Sequence, residues 1–282
     1  MAARAAVLGS PISHSLSPAL HLAGYRTLGL TGWTYQAIEC DEQGLAEFVD
    51  SLGPDWVGLS LTMPLKRAVL PILDDAERLA IDVGAANTVL LREGKRFGYN
   101  TDVPGMVTAL RQAGVMAGQG AVILGSGATA CSALAALREL GATDVAVAVR
   151  SRPHAETLRI VAGRLDLDVW LIDLDGGLGG GLGQASWQLL ISTIPAVGAA
   201  AVASQIRAGA VQADVVFDVG YDPWPTALAE AAECAGLTVI SGYELLVNQA
   251  AQQFELMTGR EAPVAVMRAA GLAELERRRN IR

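Results

Sequence analysis

The sequence predicts an α/β protein built around a doubly wound parallel sheet, and three observations predict it. Short apolar runs recur at helix-length intervals in the middle of the chain: 121–125 (AVILG), 145–149 (VAVAV), 189–193 (LLIST), 215–219 (VVFDV) and 237–241 (LTVIS). That spacing is the βαβ rhythm of parallel strands joined by crossover helices. The first of these runs leads into a G-x-G-x-x-A turn, Gly125 to Ala130. The first hundred residues alternate strand-like and helix-like segments around a hairpin signal, so the sheet there is mixed.

Length and composition agree with this class. The chain has 282 residues, 51% of them hydrophobic and 18% charged, enough apolar material for one large core or two ordinary ones. Aromatics are only 5%, so the cores consist mainly of Ala, Val, Leu and Ile. The formal net charge of −8 argues against a nucleic-acid surface, which needs clustered cations. A small anion is not excluded, because a local cation or a helix N-terminus outweighs a distant net charge. Cys40, Cys131 and Cys234 show no metal-ligand or disulfide spacing, so no metal is expected and all three read as buried thiols. The N-terminal apolar run is too short for a signal peptide, and no uninterrupted apolar stretch is long enough to span a membrane. The expected address is the cytoplasm.

In chain order, 5–8 is a short strand ended by Gly9-Ser10-Pro11. Residues 17–28 read as a helix with Ser17 as N-cap and Pro18 at the first helical position. Then come a strand at 33–38, a helix at 42–52, a buried strand at 56–61, and short helices at 64–72 and 75–81. Residues 86–91 and 95–99 flank the turn signal Arg92-Glu93-Gly94. The helix after the glycine turn is Ala-rich and runs to Leu140, where Gly141 stops it. Residues 176–183 (GGLGGGLG) contain G-x-G spacings but follow no strong strand, and read as a surface loop. From Tyr243 onward lie two helices, and the final charge run 276–279 (ERRR) reads as a solvated helix end.

The glycine turn carries chemistry. Gly125 permits a tight turn, Gly127 lets backbone approach a pyrophosphate, and Ala130 lets the helix pack close to the sheet. With Ser126, Ala128 and Thr129 these residues form the expected dinucleotide loop at a helix N-terminus. The next strand ends at Val149, where an acidic residue would hold the ribose 2′-hydroxyl of NAD; here stand Arg150, Ser151 and Arg152. Cations and a hydroxyl suit a 2′-phosphate, so the expected cofactor is NADP.

Hydroxyls, amides, one lysine and one aspartate recur in short clusters elsewhere: Ser13 to Pro18, Ser60 to Lys66, Gly84 to Thr88, Gly98 to Asp102 and Asn248 to Phe254. Taken in order, these clusters resemble the shikimate dehydrogenase family over nearly the whole chain. The family's S-x-S-P matches Ser15, Ser17 and Pro18, its T-x-P-x-K matches Thr62, Pro64 and Lys66, and its G-A-x-N-T matches Gly84 to Thr88. Its N-T-D matches Asn100 to Asp102 and its Q-A-A-x-x-F matches Gln249 to Phe254.

The resemblance implies interconversion of 3-dehydroshikimate and shikimate with NADPH, with Lys66 and Asp102 as catalytic pair. It implies Ser15 and Ser17 on the substrate carboxylate, joined by Tyr221, and Thr62, Asn87 and Gln249 on hydroxyls or ring. It adds Gly242 to the cofactor contacts. It also implies a discontinuous substrate domain, 1–103 completed by 242–282, with a Rossmann-type NADP domain, 104–241, inserted. The expected partners are the small-molecule substrate, with no nucleic acid or membrane; the particle would be a monomer or homodimer. Ser60 stands where the family often has Asn, and His154 where a second Arg often grips the 2′-phosphate. Two alternatives stay open: a quinate/shikimate dehydrogenase that uses NAD, and a non-catalytic nucleotide sensor.

Overall fold

The computed structural model describes residues 2–174 and 181–280, with the His154 and Gln184 side chains also outside the described part. The chain divides into two compact units: Met1–Asp102 with Val247–Arg282, and Val103–Leu246.

In the first unit, β1 (Ala3–Gly9), α1 (Ser17–Thr27), β2 (Trp33–Glu39), α2 (Leu45–Asp50) and β3 (Trp56–Leu61) open the chain. Next come α3 (Leu65–Ala68), β4 (Asp75–Ala76), α4 (Arg78–Val83), β5 (Thr88–Arg92) and β6 (Lys95–Tyr99). The sheet order is β2-β1-β3-β5-β6-β4. The three strands β2, β1 and β3 are parallel, whereas β5 runs antiparallel to both β3 and β6, giving the mixed sheet. Leu8, Leu59, Leu61, Leu65, Val69 and Val89 form its core.

The second unit holds α5 (Asp102–Gln112), shared at its first residue with the first unit, then β7 (Ala121–Leu124), α6 (Ala128–Glu139) and β8 (Asp144–Val149). After these come α7 (Glu156–Arg164), β9 (Asp168–Asp173), β10 (Ser186–Ser192), α8 (Ala196–Arg207), β11 (Gln212–Asp218), α9 (Ala227–Cys234) and β12 (Thr238–Ser241). All pairs are parallel, in the order β12-β11-β10-β7-β8-β9. That is the doubly wound dinucleotide-fold order, with its switch point between β7 and β10. Small residues let helices lie close to this sheet: Ala199, Ala203, Ala231 and Ala232 pack against Val122, Leu190 and Val216. Two helices end the chain, α10 (Gly242–Thr258) and α11 (Val264–Arg279).

Several sequence expectations are corrected. Leu16, not Ser17, is the N-cap of α1, so Ser17 is already helical and the cap has no side-chain hydrogen bond. The helix expected at 42–52 is only Leu45–Asp50, and the one expected at 75–81 starts at Arg78 because Asp75–Ala76 pairs with β6. Arg92 stays in β5, leaving a two-residue turn with positive φ at both Glu93 and Gly94, the conformation that matches the twist of a hairpin. Helix α7 and strand β9 were not foreseen; β9 is an edge strand with no fully buried residue, so it lacks a continuous apolar run. Cys40 and Cys131 are buried but Cys234 is exposed at the end of α9. Of the glycine-rich stretch, 176–180 lies outside the described residues and Gly181–Gln184 is a 3₁₀ turn.

Candidate active site

The first unit gathers a lysine, an aspartate and two amides. Lys66 lies on the short helix α3, and its carbonyl accepts from Ala86 N–H, two residues before β5, at 2.8 Å. Asp102 is the first residue of α5, and its carboxylate therefore sits at the positive end of a helix. Lys66 Nζ donates to Asp102 Oδ2 at 2.7 Å, with 16% and 6% of the two side chains exposed, so the pair is partly desolvated yet reachable from solvent.

Asn87 locks the other half of the carboxylate. Its Nδ2 donates to Asp102 Oδ1 at 2.9 Å and to Thr101 Oγ1 at 3.0 Å, and it approaches Gln249 Oε1 at 3.4 Å. Its Oδ1 accepts from Thr101 N–H at 2.8 Å and from Thr88 Oγ1 at 3.0 Å. Both Asn87 and Asp102 are buried, so every one of these bonds matters to satisfaction of the site.

Sequence reasoning missed the layer beneath. Gln253 lies one turn beyond Gln249 on α10, on the same helix face. Its Nε2 donates to the Asn87 carbonyl at 3.1 Å and to Thr88 Oγ1 at 3.0 Å, and its Oε1 accepts from Ser60 Oγ at 2.8 Å. Ser60 in turn accepts from Tyr35 O–H at 2.6 Å. Ser60 thus supports the amide cluster from below. The signal was the second glutamine of the run Gln249-Ala250-Ala251-Gln252-Gln253, whose spacing from Gln249 put both on one face.

Ser15 and Ser17 flank the start of α1. Ser15 Oγ accepts from Ser17 N–H at 3.3 Å, and no acidic residue stands in the first turn of α1. The arrangement favours an anion there. Thr62 follows β3, its N–H donating to the Leu8 carbonyl at 2.9 Å; Gly9 has no Cβ because one would collide with Thr62 Cγ2.

The charge run 276–279 is not simply solvated. Arg277 is exposed, but Arg278 donates to the His14 carbonyl at 2.7 Å and to the Ser15 carbonyl at 3.0 Å. Both arginines pair with Glu274, and together they hold its carboxyl down to about 2.

In the second unit, the glycine turn occupies the step from β7 to α6. Gly125 has φ +104°, and a Cβ there would meet Thr193 Oγ1 and Ile194 Cγ2, each at 2.8 Å. Gly127 is different: its φ is −75° and nothing lies within 4 Å of where its Cβ would be. Gly127 is the N-cap of α6 and provides no side-chain cap, so the first-turn N–H groups remain for a ligand; Ala130 is fully buried beneath. Ser126, Ala128 and Thr129 are half-buried around this N-terminus. The residues fit a pyrophosphate.

Arg150 and Arg152 are exposed beyond β8, with Ser151 between them half-buried. Arg152 reaches the Leu171 carbonyl at 3.5 Å, whereas Arg150 makes no hydrogen bond or ion pair with the described residues. A free guanidinium in this position fits a 2′-phosphate.

Tyr221 is half-buried in the loop after β11. Asp218, buried below that loop, accepts from Thr226 Oγ1 at 2.6 Å and Gly220 N–H at 3.2 Å, while Thr226 caps α9. Burial pushes the Asp218 carboxyl up. Gly242 has a packing reason of its own, since a Cβ there would collide with the Val219 backbone.

A parallel sheet in this strand order, opened by a glycine turn and joined to a unit with a lysine–carboxylate pair, defines a dinucleotide-fold oxidoreductase class. Residues 7–89 match the family described as "Shikimate dehydrogenase substrate binding domain", and 242–270 match "Shikimate 5'-dehydrogenase C-terminal domain". The shikimate dehydrogenase (NADP(+)) of Methanopyrus kandleri is 37% identical over 278 residues, covering 95% of this chain and 94% of the relative. The crystal structure of Mycobacterium tuberculosis shikimate dehydrogenase superposes with TM-score 0.87 at 43% identity, covering 96% of this chain and 99% of that one. A shikimate 5-dehydrogenase from Thermus thermophilus, solved in complex with NADP(H) and shikimate, gives TM-score 0.80 at 31% identity, covering 96% and 99%. The chain belongs to the shikimate dehydrogenase family.

Proposed function

We propose that this protein is an NADP-dependent oxidoreductase that reversibly reduces 3-dehydroshikimate to shikimate, in the cytoplasm, on the route to chorismate and the aromatic amino acids. The observation that carries the reading is the Lys66–Asp102 pair at 2.7 Å, partly buried and braced by Asn87. The family relatives and the solved complex of the Thermus thermophilus enzyme with NADP(H) and shikimate support the substrate and cofactor.

NADPH, when bound, supplies the hydride to the ketone carbon. The residues of the chain do the rest. As the carbonyl oxygen gains negative charge, Lys66 Nζ stabilises it and gives up a proton, so the ketone becomes an alcohol. Asp102 holds the ammonium in place through Oδ2 and accepts a ring hydroxyl, and in the reverse direction the neutral Lys66 amine takes the alcohol proton. Asn87 and Gln249 position ring hydroxyls with Thr62, while Ser15, Ser17 and Tyr221 hold the carboxylate. Gly125, Ser126, Gly127, Ala128, Thr129 and Ala130 bind the pyrophosphate at the α6 N-terminus. Arg150, Ser151 and Arg152 bind the 2′-phosphate, and Gly242 admits close backbone approach to the cofactor.

In this reading the unit Met1–Asp102 with Val247–Arg282 is the substrate domain and Val103–Leu246 the cofactor domain. Each chain carries all these residues, so the reaction needs none from a second copy, whether the particle is a monomer or a homodimer. No described helix is long and apolar enough to cross a membrane.

The test is the growth of NADPH absorbance with shikimate and NADP⁺, set against quinate and NAD⁺. Shikimate with NADP⁺ should give much the largest kcat/KM, because a site fitted to shikimate leaves the extra quinate hydroxyl poorly paired. Comparable turnover of quinate with NAD⁺ would replace this reading by the dual-substrate one.

A further inference from the structure

The segment carrying Ser15 and Ser17 is held at both ends by charge. At its start, Ser10 Oγ and Ile12 N–H donate to the two oxygens of Glu39, at 2.6 and 3.0 Å. At its end, the guanidinium of Arg278 spans two successive peptides: one nitrogen donates to the His14 carbonyl at 2.7 Å, the other to the Ser15 carbonyl at 3.0 Å. Its Nε donates to Glu274 Oε1 at 2.7 Å, one turn back on α11, so the planar fork is fixed in orientation before it meets the loop. These are contacts across 264 and 263 residues of sequence, made by a side chain only 22% exposed.

Such a clamp has a specific consequence. Loop residues 13 and 14 are exposed, and Leu16 at the α1 N-cap offers no side-chain cap to hold the turn. With the carbonyls of His14 and Ser15 fixed, the two peptide planes on either side of the Ser15 Cα are fixed, and with them the direction of the Ser15 side chain. Ser15 Oγ then accepts the Ser17 N–H at 3.3 Å, which leaves its own O–H to donate outward. A hydroxyl pair binds a carboxylate well only if both donors are already aimed.

We propose that Arg278 is a positioning residue for substrate binding: it holds the His14 and Ser15 carbonyls so that the Ser15 hydroxyl is aimed at the substrate carboxylate. The proposal rests on the assignment of Ser15 and Ser17 to that carboxylate. Arg278 acts through the loop rather than as a direct ligand, since three of its donors are committed to Glu274, His14 and Ser15. Arg277, which shares Glu274 but reaches no part of the loop in these contacts, is the internal control.

The experiment is steady-state kinetics of the full-length enzyme with Arg278→Ala, Arg278→Lys, Arg277→Ala, Ser15→Ala/Ser17→Ala, and the triple variant Ser15→Ala/Ser17→Ala/Arg278→Ala. Arg278→Ala should raise KM for shikimate about 5–20-fold, with kcat and the KM for NADP⁺ within about twofold of the parent. Arg278→Lys keeps the charge but not the two-pronged fork, so it should still raise KM for shikimate by about threefold or more. Should the alanine variant fail to fold, Arg278→Lys gives the answer alone. Arg277→Ala should leave all three constants unchanged. In the triple variant the Arg278 change should add less than about twofold to KM, because the hydroxyl through which it acts is gone.

An unchanged KM in both Arg278 variants, while the serine pair still raises it, overturns the proposal and leaves the carboxylate assignment standing. So does a full multiplicative effect in the triple variant, or a parallel loss of kcat and of NADP⁺ binding, either of which marks general destabilisation. If the serine pair itself leaves KM unchanged, the carboxylate assignment fails and the proposal falls with it.

Discussion

Asn87 donates to Asp102 Oδ1 at 2.9 Å, which leaves the opposite carboxylate oxygen to Lys66 alone. Asn87 is therefore as much a strut as a ligand. Asn87→Ala would orphan the buried Thr101 N–H and release Asp102. Each unpaired buried group costs about 1–3 kcal/mol, so unfolding free energy should fall by about 2–4 kcal/mol. Urea denaturation with and without substrate checks this, and kcat should fall by on the order of tenfold from the misplaced carboxylate. An unaltered urea midpoint would mean water replaces the amide at no cost.

The two glycines of the nucleotide turn separate stability from binding. Gly125→Ala puts a Cβ against Thr193 and Ile194 at φ +104°, so it should lower the melting temperature and weaken NADP⁺ binding together. Gly127→Ala meets nothing within 4 Å and needs no unusual backbone. Its stability should stay within about 0.5 kcal/mol of the parent while NADP⁺ affinity drops at least tenfold. Calorimetry of the free protein and titration with NADP⁺ read the two effects. Undiminished affinity in Gly127→Ala would put the pyrophosphate elsewhere.

Arg150→Ala should weaken NADP⁺ far more than NAD⁺, because the 2′-phosphate is the sole difference between the ligands. A charge-assisted contact is worth about 1.5–3 kcal/mol, or roughly 10–150-fold in Kd. Equal losses for both nucleotides would assign Arg150 to the fold or the pyrophosphate.

How much of this was legible in the sequence follows from what kind of force sets each feature. The switch-point sheet was legible because β7, β8 and the C-terminal halves of β10 and β11 are buried and read as unbroken apolar strings, and the half-buried edge strand β12 still carries the β-branched run Thr238-Val239-Ile240. Strand β9, with Asp168, Trp170 and Asp173 at its exposed positions, gave no such string. Lys66 and Asp102 could be named from their motifs, but their contact joins residues 36 apart and depends on Asn87, Thr101 and Gln253 falling on one spot. Arg278 was hidden for the same reason. A charge run at a helix end looks solvated until the tertiary fold brings a loop from the far end of the chain to it.

His21 gives the protein an acid limit. It is fully buried, stacked on Tyr35 at 4.1 Å, and neither ring nitrogen has a hydrogen-bond partner among the described residues. Burial lowers its pKa from 6.5 to about 3. The unfolded chain binds a proton below pH 6.5 and the folded one does not, so stability is flat above 6.5 and falls as pH drops toward 3. At pH 5 the loss from this residue alone is about 2 kcal/mol. His21→Leu should remove that part of the slope between pH 7 and 5, as read by urea unfolding at each pH; an unchanged slope would mean that other groups set the acid limit.

Proton transfer in this site rests on Lys66. In Lys66→Met the side chain keeps an unbranched apolar stem one atom shorter than that of lysine but loses the proton and charge. The measurement is kcat for shikimate oxidation by NADP⁺, with substrate deuterated at the transferring carbon to show when hydride transfer limits the rate. With the general acid gone, kcat should fall roughly 10²–10⁴-fold, with much smaller changes in KM for shikimate and NADP⁺. A variant that keeps more than about a third of the parent kcat while hydride transfer is rate-limiting would contradict this role, because Lys66 would then not be the group that moves the proton.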